Sequence, residues 1–462
     1  MGRRARSGTV VLLVSGLSSH VFGLLGVVRR LAAMGFAVEV WGEPSASRLV
    51  QKQGFAFQAL TGVRYCHDRI LFTGLAGLLR QPATVGRMFS TSRSRRASLQ
   101  KDLELLSASL QTQLARVTPM LVLMDPLLVA YYPWFKSRGI RCVLLQDKPL
   151  PTPDPLVPPP TSSWIPRAGR SSRLLVGAQW ALEHAADALR NVRSAIADRL
   201  GFYTSDQLIS AVENEAAVPD ALRARRRLSY DLYFPDQEEW VLSAPEMDYP
   251  RARALPGVVR YIGPCVDLQR TEPESPVARA ATTRHLIYVS MGTSIPSWDF
   301  HVPLLRRIVQ AFGGLDGVQL VVSAGSVAAR AALRNSFTNV QVLVLLPQLK
   351  LLRIADLAIV HAGANALRES IVTETPMLAI PREYDQLGNA ARIVHHGLGL
   401  RAGQGASAAE IRRKGLQILE DAAFKRRIRE CHSAVTTAES VLFAQAVEPM
   451  LEHAPAQARS AL

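Results

Sequence analysis

Two series of short, unbroken apolar runs constrain the fold of this chain more than any other feature. The first series is TVVLLVS (9–15), FAVEVWG (36–42), PMLVLMDP (119–126) and IRCVLLQD (140–147). The second is HLIYVSMGTS (285–294), VQLVVSAG (318–325), VQVLVLLPQ (340–348), LAIVHAGA (357–364) and PMLAIPRE (376–383). Continuous runs of this length suit strands buried on both faces, as in parallel sheets. Between the first two runs, SSHVFGLLGVVRRLAAMG (18–35) has apolar residues at helical spacing and closes on Gly35. Strand, helix, strand implies a right-handed crossover and a parallel sheet. With 462 residues, 48% of them hydrophobic, the chain can fill more than one core. The expected class is therefore α/β, with two Rossmann-like domains facing each other across a cleft. The expected divisions are an N-terminal domain (1–235), short strands and a connection (236–284), a C-terminal domain (285–440) and a tail (441–462).

One segment departs from this pattern. Residues 149–166 (PLPTPDPLVPPPTSSWIP) hold eight prolines, which exclude a regular helix or a central strand. The segment follows a strand end, where α/β sheets place ligand-facing loops, so it is expected to line an acceptor cavity.

The net charge of +16 suits anionic partners. Basic runs at Arg93, Arg95 and Arg96, at Arg223 and Arg225 to Arg227, and at Lys425 to Arg427 with Arg429 suggest peripheral contact with an anionic membrane. Solvated arginines are the plainer explanation. No aromatic interleaving accompanies these runs, so nucleic acid is not expected as a partner. Cys66, Cys142, Cys265 and Cys431 are widely spaced and form no zinc or disulfide pattern, as expected of core thiols in the cytoplasm. No D-x-D or H-E-x-x-H occurs, so no metal site is expected. Arg3, Arg4 and Arg6 before an apolar run imitate a secretory signal, but Ser15 to His20 break the run and a first buried strand is preferred. No stretch reaches the roughly 18 apolar residues of a membrane span.

The stretch IVHAGANALRES (359–370) holds the first candidate site. At a strand end followed by a helix, free backbone N–H groups and the positive end of the helix dipole attract anions. Ala362, Gly363 and Ala364 let an anion approach the backbone. His361 can donate to a phosphate oxygen, Asn365 can cap the helix or touch a ligand, and Glu369 suits the hydroxyls of a ribose. Gly292 and Thr293 form a second turn open to phosphate. Gln348 stands before a helix, and Asp385 beside Gln386 can grip vicinal hydroxyls of a sugar.

Pro347-Gln348, His361-x-Gly363-x-Asn365, Glu369, Thr375-Pro376, Pro381, Asp385-Gln386 and Asn389-Ala390 follow one another in a specific order. In these elements the region from Leu286 to Leu400 resembles the donor half of family 1 glycosyltransferases, the group with the GT-B fold. It is similar to the plant secondary-metabolite enzymes and to bacterial macrolide glycosyltransferases. The resemblance implies that Gln348 lies near the base or ribose and that His361, Gly363 and Asn365 hold the diphosphate. It further implies that Glu369 binds ribose and that Asp385 and Gln386 bind the sugar. Leu345 replaces an aromatic that commonly stacks on the base, and Ala366 replaces a hydroxyl residue.

The resemblance also implies a base in the first half. His20 follows the first strand, and Asp125 ends the run MLVLMD. A neutral His can take the proton of an attacking hydroxyl, and a carboxylate on its other nitrogen stabilises the imidazolium. The implied function is inverting transfer of a hexose from a UDP-sugar, with UDP-glucose expected, to a hydroxyl of a small, largely apolar acceptor. No cofactor is implied beyond that co-substrate. A nucleotide-sugar epimerase of the same fold, or a non-catalytic helper of a transferase, are the alternatives. Asp385-Gln386 and His20 argue against the first; His361, Glu369 and Gln386 argue against the second.

Overall fold

The computed structural model describes residues 8–65, 82–228, 231–292, 301–334 and 336–451. Cys66 and Thr293 lie outside these residues. The first sheet contains β1 (Thr9–Val14), β2 (Ala37–Gly42), β3 (Ala56–Ala59), β4 (Leu121–Met124) and β5 (Cys142–Gln146). An antiparallel hairpin, β6 (Arg225–Leu228) and β7 (Asp231–Tyr233), stands apart from it. Next come β8 (Glu238–Val241) and β9 (Val259–Tyr261), which pair in parallel with β5 and with each other. They complete the first sheet in the order β3-β2-β1-β4-β5-β8-β9. These two strands were expected in the connection between domains; their ladder bonds to β5 instead extend the first domain past residue 236.

The second sheet contains β10 (His285–Ser290), β11 (Val318–Ser323), β12 (Val340–Leu343), β13 (Leu357–Val360), β14 (Met377–Ala379) and β15 (Gly399–Arg401). Its order is β12-β11-β10-β13-β14-β15, all parallel. Strand order reverses between β1 and β4 in one sheet and between β10 and β13 in the other. Open parallel sheets bind ligands at such switch points, beyond the carboxyl ends of the strands.

Five helices shape the cleft and its surroundings. They are α1 (Ser18–Ala33), α2 (Arg170–Arg199), α3 (Ala364–Val372), α4 (Asp385–His395) and α5 (Ala422–Leu451). In α1, Val21, Leu24, Leu25, Val28 and Leu31 recur at helical spacing and are buried against the inner face of β1. The C-terminal tail expected from 441 is the end of α5. Its Ile428 and Val435 pack in the second core, whereas Phe443, Ala446, Val447 and Met450 pack in the first. One helix therefore spans both cores, because its apolar residues continue at helical spacing past 440.

Several arginines of the expected basic runs pair with carboxylates of this chain, Arg226 and Arg227 largely buried and Arg96 and Arg429 at the surface. Arg96 pairs with Asp198 at 2.8 Å, Arg226 with Asp206 at 2.9 Å, and Arg227 with both Asp231 at 2.7 Å and Glu239 at 2.8 Å. Arg429 pairs with Glu374 at 3.2 Å. Among the described residues no helix is long and apolar enough to cross a membrane.

Candidate active site

The turn after β1 carries His20 in the first turn of α1, at the switch point of the first sheet. Asp125 ends β4 next to it. The His20 Nδ1 lies 2.8 Å from Asp125 Oδ1, and the Asp125 side chain is fully buried. The backbone N–H of Ser15 donates to Asp125 Oδ2 at 3.0 Å, and that of Leu127 donates to Oδ1 at 3.0 Å. Burial opposes a charged Asp125, but His20 and these donors win and hold its pKa at about 2. Burial likewise opposes a charged His20, yet Asp125 overrides it and raises the pKa above its ordinary 6.5. An ionised carboxylate on Nδ1 fixes the tautomer, so Nε2 keeps the lone pair.

The facing switch point of the second sheet carries Gly292 after β10 and His361 after β13. The His361 ring lies against both glycines of the site. A Cβ on Gly292 would stand 2.7 Å from the ring, and one on Gly363 would stand 2.4 Å from Nε2. Gly292 also has φ +87°, open to glycine and strained for other residues. Ala362, between His361 and Gly363, adopts φ +62° despite its Cβ, and Asn389 Nδ2 donates to its carbonyl at 2.9 Å. Burial pushes the His361 pKa down to about 4, with His301 acting in the same direction. His361 is thus a neutral hydrogen-bonding group at the N-terminus of α3. Its Nδ1 is buried and has no hydrogen-bond partner among the described residues.

The two halves touch at this point. Asn365 Nδ2 donates to the carbonyl of Ser19 at 2.6 Å, one residue before His20. Arg368, one turn further along α3, donates to the carbonyls of Pro264 at 2.8 Å and Gly23 at 3.2 Å, and to Asn365 Oδ1. Asn365 is thereby turned toward the first half, not toward the cradle at the helix end, where the sequence suggested a phosphate contact.

Gln348 and Glu369 also meet. Gln348 Nε2 donates to Glu369 Oε2 at 2.8 Å, and Gln348 Oε1 accepts from Tyr288 at 3.3 Å. The carboxylate of Glu369 is further engaged by Arg270, at 2.6 and 3.2 Å. Arg270 comes from the chain between the two sheets and stacks over Phe22 of α1 at 5.0 Å. Its neighbour Glu272 accepts from the backbone N–H groups of Leu349 and Lys350, at the start of the short helix Gln348–Leu352. The carboxylate expected to receive ribose hydroxyls is therefore already neutralised by a guanidinium.

Asp385 opens α4 after Tyr384, which holds φ +53°. Burial raises the Asp385 pKa, and Lys148 counters this. Asn389 donates to Asp385 Oδ2 at 3.0 Å. Gln386, beside Asp385 at the start of α4, is engaged locally: its Oε1 accepts from the backbone N–H of Arg382 at 3.0 Å.

Four residues absent from the sequence expectations complete the site: Asp147, Lys148, Arg270 and Arg368. Lys148 follows β5 and keeps its charge, because Asp147, Asp385, Asp231 and Asp125 together outweigh the cost of burial. Asp147 and Lys148 line the cleft with Arg368 and Asn389 of the second half. Asp147 Oδ1 is buried and has no hydrogen-bond partner among the described residues. A signal existed for these two, since QDKP sits where a strand end meets the proline-rich segment. Arg270 and Arg368 had none, as their partners are about 100 residues away along the chain.

Residues 315–438 match the model of the glycosyltransferase family 28 C-terminal domain. The second half of the chain is thus similar to the C-terminal domain of family 28 glycosyltransferases. Oleandomycin glycosyltransferase of Streptomyces antibioticus is 35% identical over 175 residues, which are 37% of this chain and 39% of that protein. Zeaxanthin glucosyltransferase of Pantoea ananas is 30% identical over 203 residues, 43% of this chain and 46% of that protein. The chain thus matches less than half the length of these curated relatives. Among solved structures, the glycotransferase of kitacinnamycin superposes with a TM-score of 0.62 at 18% identity, covering 98% of this chain and all of that one. Spinosyn rhamnosyltransferase complexed with spinosyn aglycone gives 0.58 at 16% identity, over 96% of this chain and 100% of that one. The two parallel sheets, superposed over nearly their whole length on these structures, together form the GT-B fold.

Proposed function

We propose that the chain is an inverting glycosyltransferase that moves a hexose from a UDP-sugar to a hydroxyl of a small, largely apolar acceptor. The observation that carries this reading is the His20–Asp125 pair, held one hydrogen bond from the helix that would cradle the leaving group. The acceptor hydroxyl gives its proton to His20 Nε2 as its oxygen attacks the anomeric carbon. The bond from that carbon to the diphosphate oxygen breaks, and its electron pair leaves with the diphosphate. Asp125 stabilises the imidazolium that forms. The N–H groups at the start of α3 and the neutral His361 stabilise the departing charge. Glu369 and Gln348 are assigned to the ribose, which requires Arg270 to share or yield the Glu369 carboxylate. Asp385 and Gln386 are assigned to the sugar, with Gln386 turning away from Arg382. The relatives named for oleandomycin and zeaxanthin support a small natural product as acceptor, and the proline-rich segment supplies Pro149 and Leu150 to the cleft wall.

Melting the protein with UDP-glucose, other UDP-hexoses and dTDP-hexoses tests the donor. A ligand at 100 times its Kd stabilises by about 2.7 kcal/mol, so the preferred donor raises the Tm by several degrees. A dTDP-sugar that stabilises while UDP-sugars do not would overturn the nucleotide assignment. Silence across the panel would overturn the donor site.

A further inference from the structure

The longest helix of the first half has two faces of opposite logic. The face of α2 turned toward the protein holds Ser172, Val176, Trp180, Arg190, Ser194 and Ala197. Trp180 packs with Val176 and Leu228 and donates from its indole to the carbonyl of Val157 at 2.9 Å. A surface helix normally carries its polar residues on the other side. Here that side is apolar. Leu175, Leu182, Leu189 and Ile196 recur every seven residues and are 46%, 70%, 50% and 52% exposed. Leu174 and Val192 flank them at 75% and 56% exposure, and Ala178, Ala181, Ala185 and Ala188 are exposed between them.

We propose that this face is where a second copy of the chain docks, with its α2 packed antiparallel. Three features point to that occupant. A strict seven-residue apolar repeat is the pattern that keeps a seam facing a partner helix. The repeat is symmetric about Ala185 and Ala186, so reversal places Leu182 of one copy against Leu189 of the other, and Leu175 against Ile196. A two-fold interface demands such self-complementarity. The small residues stand at its centre, where two helix axes approach to about 8 Å.

Charge tells against the other occupants. Between Leu174 and Val192 the outward stripe carries no charged side chain, because Arg190 is buried and Glu183 and Asp187 lie toward the protein; the exposed arginines Arg170, Arg173, Arg193 and Arg199 stand only toward its two ends. A helix resting on an anionic membrane carries Lys and Arg along the whole border of its apolar face, not only at the ends. The repeat spans about 32 Å of helix. Two such faces together bury on the order of 1,000 Å², at the low end of stable interfaces.

Sedimentation of the full chain from 1 to 100 μM tests this. The expected result is a dimer that becomes monomeric in Leu182→Glu/Leu189→Glu, with Kd raised more than a hundredfold and the melting temperature of the monomer preserved. Oxidation of Ala185→Cys is expected to cross-link two copies. Ala178→Cys is not, because antiparallel packing separates its two copies by about 22 Å. A wild type that stays monomeric at 100 μM would overturn the proposal. So would a dimer indifferent to the double substitution, or efficient cross-linking through Ala178→Cys, which only parallel helices allow. Flotation with vesicles of mixed phosphatidylcholine and phosphatidylserine, lost in the double variant of a monomeric protein, would assign the face to a membrane instead.

Discussion

His20 is the residue whose chemistry is most exposed to test. Its pKa is raised above 6.5 by Asp125, while Asp147 adds to the shift and Lys148 opposes it. A base must be unprotonated to accept a proton, so kcat/KM is expected to fall on the acid side with an apparent pKa above 6.5. Asp125→Asn removes the counter-charge. It is expected to move that limb to lower pH and to lower the maximal rate by about 10²–10⁴-fold. A pH–rate profile of both proteins checks this; an unmoved limb in the variant would exclude His20 as its source. At Arg270 the consequence is stability. Arg270→Met leaves the buried Glu369 carboxylate without its cation, which costs about 3–5 kcal/mol. The loss is read from urea unfolding midpoints, and a change below about 1 kcal/mol would mean that Gln348 alone satisfies the charge.

At the scale of elements, the proline-rich segment is the piece that the second domain holds in place. The backbone N–H of Gly388 in α4 donates to the carbonyl of Pro160 at 2.9 Å. A Cβ at Gly388 would stand 2.2 Å from that same oxygen. Backbone cannot yield as a side-chain tip can, so Gly388→Ala must push the segment off α4. The expected cost is about 1–3 kcal/mol, with faster proteolytic cleavage within residues 149–166. An unchanged Tm and cleavage rate would show that the segment is anchored elsewhere. This contact also explains how a stretch without regular structure keeps a fixed course: Trp180 of α2 holds Val157 on one side, and α4 holds Pro160 on the other.

At the scale of the whole molecule, Asp248 joins the halves. It follows β8 of the first sheet and accepts two hydrogen bonds from Arg392 of α4, at 3.0 and 2.6 Å. Arg251 and Tyr261 engage its other oxygen at 3.0 and 3.1 Å. Burial alone would raise the Asp248 pKa, but Arg392 and Arg251 hold it at about 2. A depressed carboxylate contributes stability that is complete above its ordinary value near 3.8 and fades as the pH falls through about 2. Asp248→Asn is therefore expected to cost about 3 kcal/mol near pH 7. The difference from wild type should shrink between pH 4 and pH 2. Unfolding curves across that range check it, and a constant difference would place the effect in packing, not charge.

The class of the fold, and the placement of His20, Asp125, His361 and Asp385 near strand ends, were legible in the order of residues alone. Continuous apolar runs commit β1, β4, β10 and β13 to buried parallel strands, and the polar residues that end them have nowhere to go but the cleft. Local rules carry that information, so His20, Asp125, His361 and Asp385 stood out as residues at strand ends. How partners are shared emerges only in the folded molecule. Glu369 is occupied by Arg270, Asn365 is drawn to Ser19, and Lys148 lies among carboxylates from three other segments, Asp125, Asp231 and Asp385, because each of these interactions joins residues far apart along the chain. The membership of β8 and β9 in the first sheet has the same cause. A short strand is apolar enough for either domain, and the free edge of β5 decides which one it joins.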